Sequence, residues 1–275
     1  MVVDNILNKL GISSYTSFEE IIGGRDSSVF KIHGNNRDSY ALRILPRQGY
    51  HQFEREEKVI RLAKENGIPV PIVHSIVEFE DKAAMLMDWA EGQTVLNMLQ
   101  KRPESALKLG LEFGQMQASI NKINVSHREQ YGNKSWLSPS TNELELYNQI
   151  TRINETHQLL HLDYHPLNVL TDGEKITAVI DWANASIGDT RFDIARTFSI
   201  LRLEGVKLFR EEPNILSEFE KGWLEGYEKV SGQIDSLPLF YAWAGTRMKR
   251  DMASTLLADD KHKIDEWVTD WLSKS

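Results

Sequence analysis

The chain has 275 residues, of which 41% are hydrophobic and 26% charged, a composition typical of a folded protein with a sizeable core. A formal net charge of −8, without a Lys/Arg cluster, disfavours a nucleic-acid-binding protein, because such proteins usually carry a basic patch. The absence of cysteine excludes disulfides and thiolate chemistry. No apolar run approaches the roughly 18 residues of a membrane helix, and no leader pattern is present, so we expect a cytoplasmic protein without membrane association.

The first third of the chain predicts a small sheet preceded by a short helix. Ile6, Leu7 and Leu10 have helical spacing, and the pattern stops at Gly11. Runs rich in β-branched and aromatic residues, separated by Gly, Asn and Pro turns, then predict about five strands. They lie in the ranges 21–32 (strand, turn, strand), 40–45, 72–78 and 83–87.

The helix predicted over 53–66 carries a carboxylate on its apolar face. Glu56 precedes three apolar residues by three, four and seven positions, which places it on one stripe with Val59, Ile60 and Ala63. An unpaired buried charge is costly, so Glu56 needs a partner. Arg43 on the third strand is the predicted partner; a surface pairing with Arg55 or Lys58 is the alternative.

After a short connection at 88–92 the apolar period becomes helical, which marks a boundary between two parts of the chain. A buried helix is expected around Leu107, Leu111, Phe113, Gly114 and Met116, and a polar, irregular loop, on the surface or on the substrate side, over 121–140. Two later helices carry apolar stripes with aromatic residues, for which core packing is favoured over a cation-binding cage. The stripes are Leu216, Phe219, Trp223 and Tyr227, and Ile264, Trp267, Val268, Trp271 and Leu272.

The stretch 161–193 concentrates polar residues around a predicted hairpin. Strands at 169–170 and 176–180 flank an Asp172-Gly173 turn. Asp163 and Asn168 precede the hairpin and Asp181 follows it, so the two strands bring these side chains to one end of a ribbon. Asp and Asn are also ordinary loop formers, but this spacing around a hairpin favours a site.

These residue types suit phosphoryl transfer. Mg²⁺ prefers oxygen ligands and is commonly held by one or two carboxylates together with substrate phosphates, so Asn168 and Asp181 are candidate ligands. Asp163, five residues before the Asn, can accept a proton from an incoming hydroxyl. Further along, Asp189 or Thr190 can cap a helix, and Asp193 in its first turn is expected to orient the loop that carries Asp163.

The stretch resembles the aminoglycoside phosphotransferase, or phosphotransferase enzyme, family, whose pattern is His-Gly-Asp-x-His-Pro-x-Asn, hairpin, Ile-Asp-Trp and Gly-Asp-x-x-x-Asp. Asp163, Asn168, Asp181 and Asp193 match it. The chain departs from the family at Leu162, where Gly is usual, at Ala183, where an acidic residue often follows the Trp, and at Gln117, where Leu-His is frequent. No role is assigned to these three positions.

The resemblance implies an α+β, two-lobed, protein-kinase-like fold. The expected parts are a small five-stranded nucleotide-binding lobe (1–88), a hinge (89–93) and a larger, mainly helical catalytic and substrate-binding lobe (94–275). ATP or GTP with Mg²⁺ is the implied cofactor. The resemblance also implies a phosphate-covering turn with Ser27 and Ser28, phosphate contact by Arg43 paired with Glu56, and adenine contacts from the Asp88 carbonyl and the Ala90 N–H.

The implied activity is transfer of the γ-phosphoryl group to a hydroxyl of a small molecule. Family members act on aminoglycosides and macrolides, which links them to antibiotic resistance, and on choline, homoserine and other metabolites. A protein kinase is disfavoured because Asp181 is followed by Trp182-Ala183, not Phe-Gly, and no Ala-Pro-Glu segment follows. A nucleotide-binding pseudoenzyme with the same fold is the alternative from another class.

The acidic residues near the motif suggest a cationic acceptor. Asp163, Asp181, Asp189 and Glu91 would give the entrance of such a site a negative potential, which attracts cations. The sequence does not specify which hydroxylated molecule is the acceptor, nor the oligomeric state.

Overall fold

The computed structural model describes residues 2–22, 27–35, 38–125, 136–151 and 156–275. Its contacts divide the chain into two compact units. The first comprises Met1–Gly92 and Thr177–Ala183, and the second comprises Gln93–Ile176 and Asn184–Ser275. Residues 23–26, within the range 21–32 predicted as strand, turn and strand, and residues 126–135, half of the loop predicted over 121–140, lie outside the described residues.

The first unit contains helix α1 (Val2–Lys9) and an antiparallel sheet of five strands in the order β1-β2-β3-β5-β4. This confirms the predicted five-stranded sheet. Its core joins side chains of α1 to one face of the sheet and includes Ile6, Leu7, Ile32, Leu42, Ala84 and Leu86. The strands are β1 (Ser17–Ile21), β2 (Ser28–His33), β3 (Ser39–Pro46), β4 (Val73–Phe79) and β5 (Lys82–Asp88).

Helix α2 (Tyr50–Glu65) begins three residues before the predicted start, because a 3₁₀ turn at Arg47–Gly49 leads directly into it. Its buried face is the predicted stripe, extended by Phe53. Asn66 caps the end of the helix, and the next residue, Gly67, has φ 82°, a left-handed conformation that favours glycine. Beyond it, the carbonyl of Pro69 accepts a hydrogen bond from Val179 N (2.8 Å), which fixes segment 177–183 within this unit.

The second unit is mainly helical, with short strands beside the motif. Strand β6 pairs antiparallel with β8, and β7 pairs antiparallel with β10. The elements are β6 (Gln93–Thr94), α3 (Val95–Lys101), α4 (Ala106–Asn121), α5 (Leu144–Thr151), β7 (Gln158–Leu160), β8 (Val169–Thr171), β9 (Ile176–Val179, mostly in the first unit), β10 (Ser186–Gly188), α6 (Thr190–Ile200), α7 (Val206–Leu208), α8 (Pro213–Ser231), α9 (Pro238–Asp251) and α10 (Ala258–Leu272).

Helices α4 and α8 pack with their backbones in contact, because both have glycines at the crossing. A Cβ on Gly114 would lie 2.0 Å from the Trp223 carbonyl oxygen, and one on Gly110 2.2 Å from that of Phe219. Gly222 and Gly226 on α8 are equally close to the backbone of α4. This approach lets the large side chains of α8 reach polar residues on α4.

Two expectations for this unit are corrected. On α4 the fully buried positions include Leu109, Gly110 and Gln117, whereas Leu107, Leu111 and Met116 are only half-buried. Asn121, expected to begin a surface loop, is buried as the last residue of α4.

Aromatic residues form much of the hydrophobic core of the second unit, as predicted. Phe192 packs edge-to-face against Phe240 and Trp243, with ring centroids 4.9 and 4.6 Å apart. Trp267 and Trp271 are half-buried and pack at its margin against other aromatic rings. Within the described ranges, no helix combines the length and apolarity needed to cross a lipid bilayer.

Candidate active site

In the first unit, β3 and α2 bring Arg43 and Glu56 together. Arg43 Nη1 donates a hydrogen bond to Glu56 Oε1, and Glu56 is only 2% exposed. The predicted ion pair is therefore confirmed, and the surface alternative with Arg55 or Lys58 is wrong. The guanidinium also lies 5.6 Å from the centre of the Phe53 ring.

Burial raises the pKa of the Glu56 carboxyl, and the positive charge of Arg43 offsets this only in part, while the nearby Asp181 raises the pKa further. The net direction is upward. A second carboxylate beside the pair therefore makes Arg43 the cation that balances two acidic groups.

Asp181 lies near the end of the segment that completes the first unit. Its φ is 61°, a left-handed conformation that Asp tolerates better than most residues, and its side chain is 46% exposed. Asp181 Oδ1 lies 3.6 Å from Arg43 Nη2. The next residue, Trp182, is buried and donates a hydrogen bond from Nε1 to the Val179 carbonyl (3.1 Å), which anchors the turn.

In the second unit, the loop between β7 and β8 holds Asp163 and Asn168 against each other. Asn168 Nδ2 donates hydrogen bonds to the Asp163 carbonyl oxygen (3.0 Å) and to Asp163 Oδ2 (3.1 Å). The amide nitrogen also lies 3.2 Å from His165 Nε2, so all these contacts are on the nitrogen side, and the amide oxygen is the atom that can bind a metal. Asp163 keeps one carboxylate oxygen outside these contacts with Asn168.

Burial by itself raises the pKa of Asp163, but the hydrogen bond and charge of His165, with the charges of Arg196 and His161, outweigh it and lower the pKa to about 2. His165 Nε2 lies 3.6 Å from Asp163 Oδ2. The group is therefore ionised at neutral pH and is available to accept a hydrogen bond from a hydroxyl.

The backbone conformation at Leu162 is one that favours glycine, which is the usual residue of the family at this position. Its φ is 63° and its side chain is fully buried. A non-glycine residue in the left-handed region costs about 1–2 kcal/mol, because Cβ crowds the following carbonyl. The backbone is held on both sides: Leu162 N donates to Asp193 Oδ1 (2.6 Å), and its carbonyl accepts from Arg196 Nε (3.4 Å).

Asp193 has the expected orienting position in the first turn of α6, where Asp189 caps the helix through Arg191 N. Asp193 Oδ2 accepts hydrogen bonds from Asn121 Nδ2 (2.9 Å) and Gln117 Nε2 (3.3 Å). The sequence pattern predicts no role for Gln117 and a loop position for Asn121. Two amides four residues apart on an apolar helix were the available signal, since they share a face.

The remaining predicted nucleotide-binding residues are all in the first unit. Ser28 is the first residue of β2, Ser27 directly precedes it, and Asp88 is the last residue of β5. The Asp88 side chain accepts a hydrogen bond from Ile72 N (3.3 Å) and lies 2.6 Å from His74 Nε2. Ala90 follows in the irregular connection, beside Trp89, whose ring centre is 4.6 Å from Lys31 Nζ. Their roles stay predictions.

The antiparallel five-stranded sheet with α2 in the first unit, and the mainly helical second unit with its short strands, define a protein-kinase-like α+β fold. The model of the phosphotransferase enzyme family matches residues 17–149 and 142–232. The chain belongs to the phosphotransferase enzyme family. This membership confirms the family indicated by the motif, and with it the expectation of an enzyme of the phosphotransferase class.

Solved structures support the fold. A thermostable mutant of aminoglycoside phosphotransferase APH(4)-Ia, in a ternary complex with AMP-PNP and hygromycin B, is 18% identical, with 99% of this chain and 98% of that chain covered and a TM-score of 0.69. Macrolide 2′-phosphotransferase type I is 13% identical over 96% of this chain and 94% of that chain, with a TM-score of 0.61. At these identities the likeness concerns the fold alone.

One curated relative matches locally. Hygromycin-B 4-O-kinase of Escherichia coli is 48% identical over 44 residues, which is 16% of this chain and 13% of that protein. The chain thus aligns with only a small part of that relative's length.

Proposed function

We propose that this protein transfers the γ-phosphoryl group of ATP to a hydroxyl of a small, cationic, aminoglycoside-like acceptor. Asp163 aligns the acceptor hydroxyl and takes its proton as the phosphoryl group leaves ATP. In phosphoryl transfer the protein mainly positions the reactants and balances charge, so a rigid carboxylate is well suited to this role.

The observation that carries the proposal is the double hydrogen bond from the Asn168 amide to Asp163. It fixes the carboxylate of Asp163, and it supports the proposal that the amide oxygen of Asn168 binds the metal. A base with a pKa near 2 is too weak to deprotonate a free hydroxyl. Asp163 therefore accepts the proton late, when bond formation to phosphorus has made the hydroxyl acidic.

The available donors fit Mg²⁺, because the Asn168 amide and the Asp181 carboxylate offer oxygens and this ion usually completes its coordination with phosphates and water. When bound, Mg²⁺ neutralises charge on the phosphates. Asn168 and Asp181 would hold it, Arg43 would contact the phosphates with Glu56 as its support, and Ser27 and Ser28 would cover them. The Asp88 carbonyl and the Ala90 N–H would bind adenine.

Hygromycin B is the first acceptor to test, because the local 48% identity to a hygromycin-B kinase and the fold of the hygromycin-bound structure support this class. Phosphate transfer should be measured with ATP and with GTP against a panel of aminoglycosides, macrolides, choline and homoserine. Expression in a susceptible bacterium would test whether the activity confers resistance.

Asp163→Asn is the decisive variant, with Asp270→Asn on the exposed face of α10 as the matched control. The first should lose on the order of 10²- to 10⁴-fold in single-turnover rate and keep its Mg·ATP affinity, while the second should match the unmodified protein. Equal turnover in Asp163→Asn would remove this residue from the mechanism. Tight nucleotide binding without turnover on any acceptor would favour the pseudoenzyme.

A further inference from the structure

Leu162 places a bulky residue in a backbone conformation that glycine adopts freely, directly before the proposed base. The conformation sets the direction in which the chain enters Asp163. Because Leu162 N donates to Asp193 Oδ1, the carboxylate of Asp193 must itself be fixed if this direction is to be maintained.

Gln117 on α4 holds Asp193 through a hydrogen bond, and a residue of α8 determines the orientation of the Gln117 amide. Trp223 Nε1 donates to Gln117 Oε1 (2.7 Å), and an indole N–H can only donate, so the amide oxygen must face the tryptophan. Gln117 Nε2 is thereby turned to Asp193 Oδ2 and to Thr197 Oγ1, at 3.3 and 2.9 Å. The side chain is fully buried.

Asn121 is oriented in the same way one turn later. Tyr227 on α8 donates from its hydroxyl to Asn121 Oδ1 (3.1 Å), which leaves Asn121 Nδ2 to donate to Asp193 Oδ2 (2.9 Å) and to the Leu159 carbonyl (3.1 Å). The close approach of α4 and α8 at their glycines places Trp223 and Tyr227 within reach of these two amides.

We propose that Gln117 and Asn121 are positioning residues that hold Leu162 in its left-handed conformation through Asp193, and so set the direction of the Asp163 carboxylate. The departures from the family pattern at Gln117 and Leu162 are then physically coupled. The catalytic part of this inference rests on the proposed function, since it takes Asp163 as the base.

Gln117→Met removes the amide at similar volume. We expect kcat to fall about tenfold while KM for ATP stays within about twofold, because misalignment affects the transition state more than binding. Gln117→His should restore part of the rate, because neutral imidazole has one donor and one acceptor. Ser119→Ala on the same helix, which removes only a hydrogen bond to the Gln115 carbonyl, is the matched control and should leave kcat unchanged.

The coupling is tested by repeating Gln117→Met in two backgrounds. Leu162→Gly removes the left-handed strain and the side chain, whereas Leu162→Ala removes most of the side chain and keeps the strain. The loss of kcat caused by Gln117→Met should shrink to below about threefold in the Leu162→Gly background and stay about tenfold in the Leu162→Ala background. Equal losses in both backgrounds would overturn the coupling. Tyr227→Phe, which removes only a hydroxyl, is a milder second probe and should follow the same pattern.

Hydrogen exchange gives a readout that needs no turnover. In Gln117→Met the Leu162 amide should exchange faster than in the unmodified protein, relative to amides in the middle of α8, and in Ser119→Ala it should not. Unchanged exchange would overturn the inference whatever the activity. Faster exchange in a protein with no turnover on any acceptor would support the positioning of Leu162 and count against the proposed function.

Discussion

Glu56 and Asp193 are both buried carboxyl groups that support the motif residues, and they are held by different kinds of partner. Glu56 in the first unit pairs with a cation, Arg43, and its pKa is nevertheless raised by burial. Asp193 in the second unit accepts hydrogen bonds from one backbone N–H and two neutral amides. The surroundings of Glu56 therefore depend on charge balance, and those of Asp193 depend on the geometry of hydrogen-bond donors.

Asp193 and the uncharged groups that donate to it or orient its donors, Leu162 N, Gln117, Asn121 and Thr197, are called the neutral network here. Removing the Asp193 carboxylate should have the largest effect on stability. Asp193→Ala leaves the donors of Leu162, Gln117 and Asn121 without their partner in a buried site, and each such group costs about 1–3 kcal/mol. We expect a loss of at least about 4 kcal/mol in the free energy of unfolding, measured by urea denaturation. Asp270→Asn should change it by less than about 0.5 kcal/mol; a small loss in Asp193→Ala would mean that water replaces the carboxylate.

Removing the cation of the charged pair should rank second. Arg43→Met leaves the Glu56 charge buried and uncompensated, which costs about 3 kcal/mol. Adding Glu56→Met should recover most of that stability in calorimetry, because a buried ion pair can be replaced by apolar groups of similar size. Mg·ATP affinity should stay low in the double variant; if affinity returns with stability, Arg43 does not contact phosphate.

Thr197→Val probes the neutral network more gently. The Thr197 hydroxyl accepts from Gln117 Nε2 and donates to the Tyr164 carbonyl (2.8 Å). The isosteric change should cost about 1–2 kcal/mol by denaturation, since one buried donor and one acceptor lose a partner. Double variants with Gln117→Met should be non-additive, because both residues belong to one network; additive losses would separate Thr197 from it.

The smallest expected effect is a difference in pH dependence. The folded pKa of Glu56 lies above its ordinary value of 4.5, so the folded state retains a proton that the unfolded state has lost, and stability falls as pH rises through that window. Arg43→Met raises the pKa further and extends the window upward. Its melting temperature should therefore fall more steeply, as pH rises above the ordinary Glu value of 4.5, than that of Arg43→Met/Glu56→Met. Parallel curves would show that Glu56 is ionised in the folded state as it is in the unfolded state, so that its folded pKa is not raised.

The same contrast explains how much of the site could be predicted from the sequence. Glu56 was assigned a buried position and a basic partner because the helical period alone places it on an apolar stripe. The motif spacing likewise indicated Asp163, Asn168 and the orienting Asp193. The family and the five-stranded sheet followed from patterns that are local in the chain.

The neutral network could not be predicted in this way. Its members are far apart in sequence, and their roles depend on a helix crossing made possible by glycines on both α4 and α8. The left-handed φ of Leu162 could not be predicted either, because leucine rarely adopts this conformation. Only the family's preference for glycine at that position pointed to an unusual backbone.

Segment 177–183 belongs by its contacts to the first unit, although it is separated in sequence from the rest of that unit by residues 93–176. During synthesis on the ribosome, residues 1–92 therefore emerge long before the strand that binds Pro69 and the carboxylate that faces Arg43. A nascent chain halted before residue 177 should be digested by protease within its first 92 residues, and one extended past residue 183 should resist. The order of translation thus delays completion of the first unit until residues 93–176, which include Asp163 and Asn168, have been made.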